Sequence, residues 1–299
     1  MTSKCDGWSY LIRFINGNDN RTYFGDAILP AGASGLEDTA EPLSLEARII
    51  TGNPLSTEYE ISNERVPVKK LLGPLVREIV PDIRCIGGNY KSHLKELGVK
   101  PPKYPTMFPK LNNALADHGD VTEIPRIAQD QQADYEGELV VVIGKDAKNV
   151  SEADALDYVL GYSIANDVSA RKWQMDPDLV GTSPPPQMSF SKSFDGFCPV
   201  GPCVVSSKII RDGLDLALST KVNGELRQKG TTSDLLFNVA QIIAFCSQGS
   251  SLFAGSILLT GTPSGVGMAM KPPRFLQDGD VVEISIEKIG TLRHSIKYV

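Results

Sequence analysis

Three acids sit where β-strands would bring them together. Asp134-Tyr135-Glu136-Gly137-Glu138 runs straight into the apolar stretch 139–143. Residues two apart on a strand share a face, so Glu136 and Glu138 point the same way. Neighbouring carboxylates at the end of an apolar strand repel each other and resist desolvation. They need water or a cation. A third acid, Asp167, ends the strand-like run 162–166. If the two strands are neighbours, three carboxylates converge. An all-oxygen set suits Mg²⁺, Mn²⁺ or Ca²⁺, not zinc or copper. Three ligands on an octahedral ion leave three positions open, and a 2-oxo acid can fill two of them. On its own, Glu-x-Glu is also the pattern of a solvated sheet edge.

A second constellation lies in 87–98, GGNYKSHLKELG. His93 and Glu96 are three apart and share a helix face. A carboxylate beside an imidazole orients the ring for work as a general base. Arg171 and Gln174 follow Asp167 by four and seven residues, so a helix or turn leaving that strand would aim them back at the acids. Lys192 sits among aromatics, where an ammonium can stabilise an enolate or a carboxylate. The segment 259–267, LTGTPSGVG, reads as a strand and a glycine-rich turn. It has neither the Gly-Lys-Ser/Thr of a Walker A loop nor GxGxxG, so it argues against a nucleotide site. Its N–H groups and the Thr262 hydroxyl suit a carboxylate. His118 reads as a loop residue, and His294 as a surface or core residue.

These groups must be positioned by surrounding elements. Strands are predicted over 10–15 and 22–28 around the turn Asn16-Gly17-Asn18-Asp19-Asn20, and over 83–86, 137–143, 162–166, 203–206, 216–222, 257–260, 281–286 and 292–297. Helical patterns are predicted over 68–78, 89–97, 151–159 and 232–247. Asn89 is the expected N-cap and Gly98 the expected stop of the second of these. Ser233 and Asp234 are expected to cap the last. Residues 29–66 read as polar and irregular. Strand and helix do not alternate regularly, so a β-rich α+β domain fits better than a doubly wound sheet. A boundary near residue 80 divides a small N-terminal domain, 1–80, from a catalytic domain, 81–299.

The chain has 299 residues and a formal net charge of −6, with 41% hydrophobic and 22% charged residues. That is ordinary for a globular protein and lacks the basic face expected of a nucleic-acid or membrane-surface binder. Five cysteines without a CxxC pair point to a reducing compartment and against zinc. The N-terminal sequence MTSKCDGWSY has no apolar core of a signal peptide, so a cytosolic location is the expectation, with a mitochondrial one as the alternative.

Together, IRCIGGNYKSHLKELG, DYEGELVVVIGK, GYSIANDVSARKWQ, FSKSFDGFCPVGP, KVNGELRQ, LLTGTPSGVG and FLQDGDVVEISIEKIG resemble the fumarylacetoacetate hydrolase family, in the family's order, across roughly residues 80–299. ARKWQM, KPPRFLQDGD and IEKIG are most similar to its domain-containing protein 2 branch. The resemblance implies a mixed β-sheet roll with a few flanking helices, a small N-terminal β-containing domain, and a homodimer. It implies Mg²⁺ or Mn²⁺ on Glu136, Glu138 and Asp167, with His93 and Glu96 as a dyad on a mobile segment. Arg171, Gln174, Lys192 and Thr262 would hold the oxygens of a 2-oxo or dicarboxylic acid. The branch favours oxaloacetate keto–enol tautomerisation. C–C hydrolysis of an acylpyruvate and oxaloacetate decarboxylation use the same site, and a non-catalytic scaffold is the reading from another class. Lys172 and the run Pro184-Pro185-Pro186 depart from the family pattern and bear on the substrate.

Overall fold

The computed structural model describes residues 7–30, 32–33, 35–36, 45–181 and 187–299. Cys5 and the proline run 184–186 lie outside the described residues. The other four cysteines are buried free thiols. Among the described residues, no helix is long and apolar enough to cross a membrane.

The fold is β-rich α+β. Its described strands form an eleven-stranded sheet, a five-stranded sheet and a two-stranded ribbon. Gly137–Ile143 sits in the middle of the large sheet, and all seven of its residues are buried. It runs antiparallel to Val159–Asn166 on one side and to Ile257–Leu259 on the other. Beyond Val159–Asn166 comes Cys198–Ser206. Beyond Ile257–Leu259 comes Ile83–Gly87, which runs parallel to it, and then Thr106–Lys110. The five-stranded sheet packs Val281–Ile286 and Gly290–Tyr298 over Val159–Asn166 and Cys198–Ser206. A strand covered on both faces and flanked on both sides has no polar side, which explains the unbroken apolar run after Glu138.

Tyr10–Asn16 and Thr22–Ile28 form the expected hairpin. Tyr10–Asn16 also pairs with Cys198–Ser206, so the N-terminal strands extend the same sheet. Two expectations fail nearby. Part of the polar stretch 29–66 is strand, Glu46–Gly52 and the start of Tyr59–Leu72. The latter strand also replaces the front of the helix expected at 68–78. Val66 and Val68 are buried and Pro67 between them is exposed, a period of two rather than 3.6. Their backbone pairs with Glu46–Gly52 and Tyr10–Asn16, so tertiary pairing overrides the local pattern.

The other helices are shorter than expected. Only a 3₁₀ turn, Ala155–Tyr158, forms within 151–159. The pattern at 232–247 splits into a 3₁₀ turn, Thr232–Asp234, and a helix, Val239–Cys246. Asn238 starts that helix with a reciprocal box to Gln241, so Ser233 and Asp234 do not cap it. The helix Lys91–Leu97 does end at Gly98, in the left-handed region at φ 65°. Its start is different from the expectation. Asn89 is turned away, bonding Phe237 and Thr260, and Asp234 Oδ2 takes the Ser92 N–H at 2.9 Å. The cap comes from 142 residues down the chain.

Candidate active site

Register places the acids. Gly137 lies opposite Asn166, so Glu136 and Glu138 flank the end of the neighbouring strand and Asp167 follows it. Asp167 N–H donates to Glu136 O at 2.9 Å. Glycine is required between the two glutamates, because a Cβ there would collide with Thr220 Oγ1 from the five-stranded sheet. The three side chains are buried, and each offers an oxygen within 4.8 Å of the others. A buried all-carboxylate triad fits a hard divalent ion such as Mg²⁺, Mn²⁺ or Ca²⁺.

The cations are equally buried. Lys192, on the short helix Met188–Lys192, donates to Glu136 Oε2 at 2.9 Å and Asp167 Oδ2 at 2.6 Å. Its ammonium lies 5.3 Å from the Phe108 ring centroid. Trp173, Phe190, Phe194 and Phe197 stack edge to face beside it at 5.1–5.4 Å and fix its helix. Arg171 opens the helix Arg171–Met175 directly after the strand Ser169–Ala170. It holds Glu136 Oε1 at 2.7 Å and Asp134 Oδ2 at 2.8 Å, and its Nη1 donates to Gln174 Oε1. Its Nη2 is buried without a partner among the described residues.

Four buried carboxylates, those of Asp134, Glu136, Glu138 and Asp167, thus face three buried cations, Lys110, Arg171 and Lys192. Burial opposes ionisation of Glu136, but Lys192, Arg171 and His93 outweigh it and hold its carboxyl at about 2. Glu138 takes the imbalance. Burial, Asp167 and Glu136 push its carboxyl well up, against only Lys192 and the Gly261 N–H, which donates at 2.6 Å. A divalent cation would change the balance from one net negative charge to one net positive. The triad therefore fits such an ion, and the loaded site would suit an anion inside an acidic protein.

His93 and Glu96 meet as their spacing predicts. His93 Nδ1 lies 3.0 Å from Glu96 Oε2, and Glu96 Oε1 takes the Gly265 N–H at 2.8 Å. That leaves His93 Nε2 as the ring atom without a role in the pair. Thr262 is 3% exposed and engaged within the fold. Its hydroxyl donates to Gly137 O at 3.0 Å and accepts from Gln228 Nε2 at 2.7 Å. Gln174 Nε2 points at Met188 Sδ, and Lys172 is half-exposed on the same helix.

Residues 82–297 match the family model described as Fumarylacetoacetate (FAA) hydrolase C-terminal. The chain belongs to the fumarylacetoacetate hydrolase family. It is 41% identical over 267 residues to the fumarylacetoacetate hydrolase domain-containing protein 2 homolog of Dictyostelium discoideum, covering 85% of this chain and 84% of that one. It is 42% identical over 217 residues to the oxaloacetate tautomerase YisK of Bacillus subtilis, covering 72% and 69%. Caffeoylpyruvate hydrolase of Neonothopanus nambi is 38% identical over 297 residues, covering 97% and 93%. Among solved structures, the 2-hydroxyhepta-2,4-diene-1,7-dioate isomerase of Mycobacterium marinum superposes with a TM-score of 0.77 at 32% identity, covering 97% and 98%. Relatives of this fumarylacetoacetate hydrolase family member thus include tautomerases, isomerases and hydrolases.

Sequence reasoning missed four residues of this candidate site. Lys110 is wholly buried and donates to Asp167 Oδ1 at 2.6 Å. A lone lysine ending Thr106–Lys110 gives no sign of what it faces. Asp134 anchors Arg171 and takes the Gly267 and Met268 N–H groups at 2.7 and 3.0 Å. Its place two residues before Glu136 was the available signal. Gln228 fills all four of its hydrogen bonds against Gly137, Thr220, Thr262 and Pro263. Asn166 accepts the Glu136 N–H at 2.9 Å.

Proposed function

We propose that this protein catalyses keto–enol tautomerisation of oxaloacetate at the carboxylate–lysine cluster. The observation that carries this reading is the buried Glu136–Glu138–Asp167 triad beside Lys192 and Arg171. The 42% identity to an oxaloacetate tautomerase supports the choice of reaction. Glu136, Glu138 and Asp167 would hold Mg²⁺ or Mn²⁺, which when bound supplies a Lewis acid for the 2-oxo group. Arg171 would give its unpartnered Nη2 to a substrate carboxylate, since an unpaired buried donor costs free energy that an anionic ligand removes. Gln174 would take a further substrate oxygen, a role the Thr262 hydroxyl cannot share while its one proton goes to Gly137 O. Lys192 would stabilise charge on the enolate oxygen. His93 Nε2, with Nδ1 held by Glu96, would move the proton between C3 and the 2-oxygen of the substrate. The C–H bond breaks, its electrons form the C2–C3 double bond, and the oxygen gains the proton. The same reading includes a homodimer, with the catalytic residues in 81–299.

A second reading is hydrolysis of an acylpyruvate, favoured by the likeness to caffeoylpyruvate hydrolase over 97% of the chain. Here His93 would activate water for attack on the distal carbonyl. Incubation with oxaloacetate, acetylpyruvate and fumarylacetoacetate, followed by NMR, separates the two. Rapid approach to the keto–enol equilibrium of oxaloacetate without new carbon products supports the first. Pyruvate released from acetylpyruvate with no effect on oxaloacetate overturns it.

A further inference from the structure

His294 lies on Gly290–Tyr298, in the other sheet from the carboxylates, and is 1% exposed. Its ring nitrogens are both engaged, Nδ1 with Thr122 Oγ1 at 2.9 Å and Nε2 with Asn166 Nδ2 at 2.8 Å. Asn166 in turn accepts the Glu136 N–H through Oδ1 at 2.9 Å. The polarity of this chain is fixed from one end. A backbone N–H only donates, so the Asn166 atom facing Glu136 is the carbonyl oxygen. The other end of the amide is then NH₂, which only donates. His294 Nε2 must accept, so the ring proton is on Nδ1 and goes to Thr122. All four residues are buried. Burial also pushes the His294 ring down to about 3, with His118 adding to it, so it stays neutral.

We propose that His294 is a positioning residue, which through Asn166 locks the Glu136 backbone in place beside Asp167. An Asn amide has two orientations related by a half-turn, and the wrong one sets NH₂ against the Glu136 N–H. While its Nδ1 proton goes to Thr122, His294 disfavours that option, because Nε2 then accepts only from NH₂. The chain ends on Glu136, and Asp167 follows Asn166 directly, so both carboxylates depend on it. The inference deepens the proposed metal-supported reading and rests on it for the effect on Mg²⁺.

Long-range ¹H–¹⁵N NMR of the full-length protein should show His294 protonated at Nδ1 and bare at Nε2. A proton on Nε2 overturns the proposal. His294→Leu should speed hydrogen exchange at the Glu136 amide and weaken Mg²⁺ binding by about 10-fold or more, the size seen when an outer partner of a metal ligand is lost. His294→Gln, whose side-chain oxygen can accept from Asn166, should recover most of both. A folded His294→Leu with unchanged exchange and Mg²⁺ affinity overturns the proposal, as does a Gln variant as impaired as Leu. If His294→Leu does not fold, Asn166→Asp decides. Its second oxygen demands a donor, so Nε2 should gain a proton, and an unchanged ring spectrum overturns the lock. A wild-type protein that binds no Mg²⁺ in calorimetry sinks the metal reading alone, because exchange and ring NMR still decide His294.

Discussion

Glu136, Glu138 and Asp167 hang from the ends of paired strands in the middle of the large sheet, whereas His93 and Glu96 ride a seven-residue helix outside it. The first group is held by ladder bonds, by three buried cations and by glycine-enforced contact with the second sheet. The second is held by side-chain tethers. Asp234 takes the Ser92 N–H, Gly265 donates to Glu96, and Asn89 ties the preceding turn to Phe237 and Thr260. A helix this short has little stability of its own. Charge is thus stored on the rigid part, and the His93 ring, proposed to carry the proton, sits where a few bonds decide its place.

Substitutions can break this division of labour. Glu138→Gln should cost the most activity, roughly 10³-fold, with Mg²⁺ binding lost in calorimetry. Its stability should move the other way in chelator. A carboxyl raised in the folded state costs stability at pH above its unfolded value, near 4.5, and the amide removes that cost. A lower melting temperature for Glu138→Gln in EDTA at pH 7.5 would contradict the strained-charge account. His93→Ala should lower turnover by about 10²–10³-fold while calorimetric Mg²⁺ affinity stays at the wild-type value. Equal losses in both would mean the two regions are not separable. Lys110→Met leaves Asp167 short of a buried partner and should destabilise the fold by roughly 3–5 kcal/mol in urea titrations. Added Mg²⁺ should recover more stability in this variant than in the wild type. The smallest effect belongs to the tether. Asp234→Ala should cost about 1 kcal/mol, the worth of a helix cap. It should lower kcat with Mg²⁺ binding unchanged.

The sequence is most readable where one local rule operates. Glu-Gly-Glu before an apolar run gives the shared face by the period of a strand, and the structure brings that pair to Asp167. The His93–Glu96 contact follows from helix spacing in the same way. What was not legible depends on distant partners. Val66 and Val68 join a strand because two other strands are waiting for them. Asn89 looks like a cap, yet its amide is drawn off by Phe237 and Thr260, and Asp234 caps from far along the chain. Lys110 and His294 carry no motif at all, since their partners, Asp167 and Asn166, lie 57 and 128 residues away.

The parallel pairing of Ile83–Gly87 with Ile257–Leu259 has a consequence during synthesis. Glu138 meets its Gly261 donor only after 123 further residues have been made, and Asn166 its histidine only after 128. At about 5–20 residues per second, the roughly 160 residues from Glu136 to His294 take some 8–30 s. Until the second sheet and Ile257–Leu259 arrive within that interval, the acids and the apolar strand behind them lack their covering layer and one neighbour. The nascent chain must stay soluble with its central strand unpaired on one side, and the carboxylate site is completed only by contacts made long after its own acids.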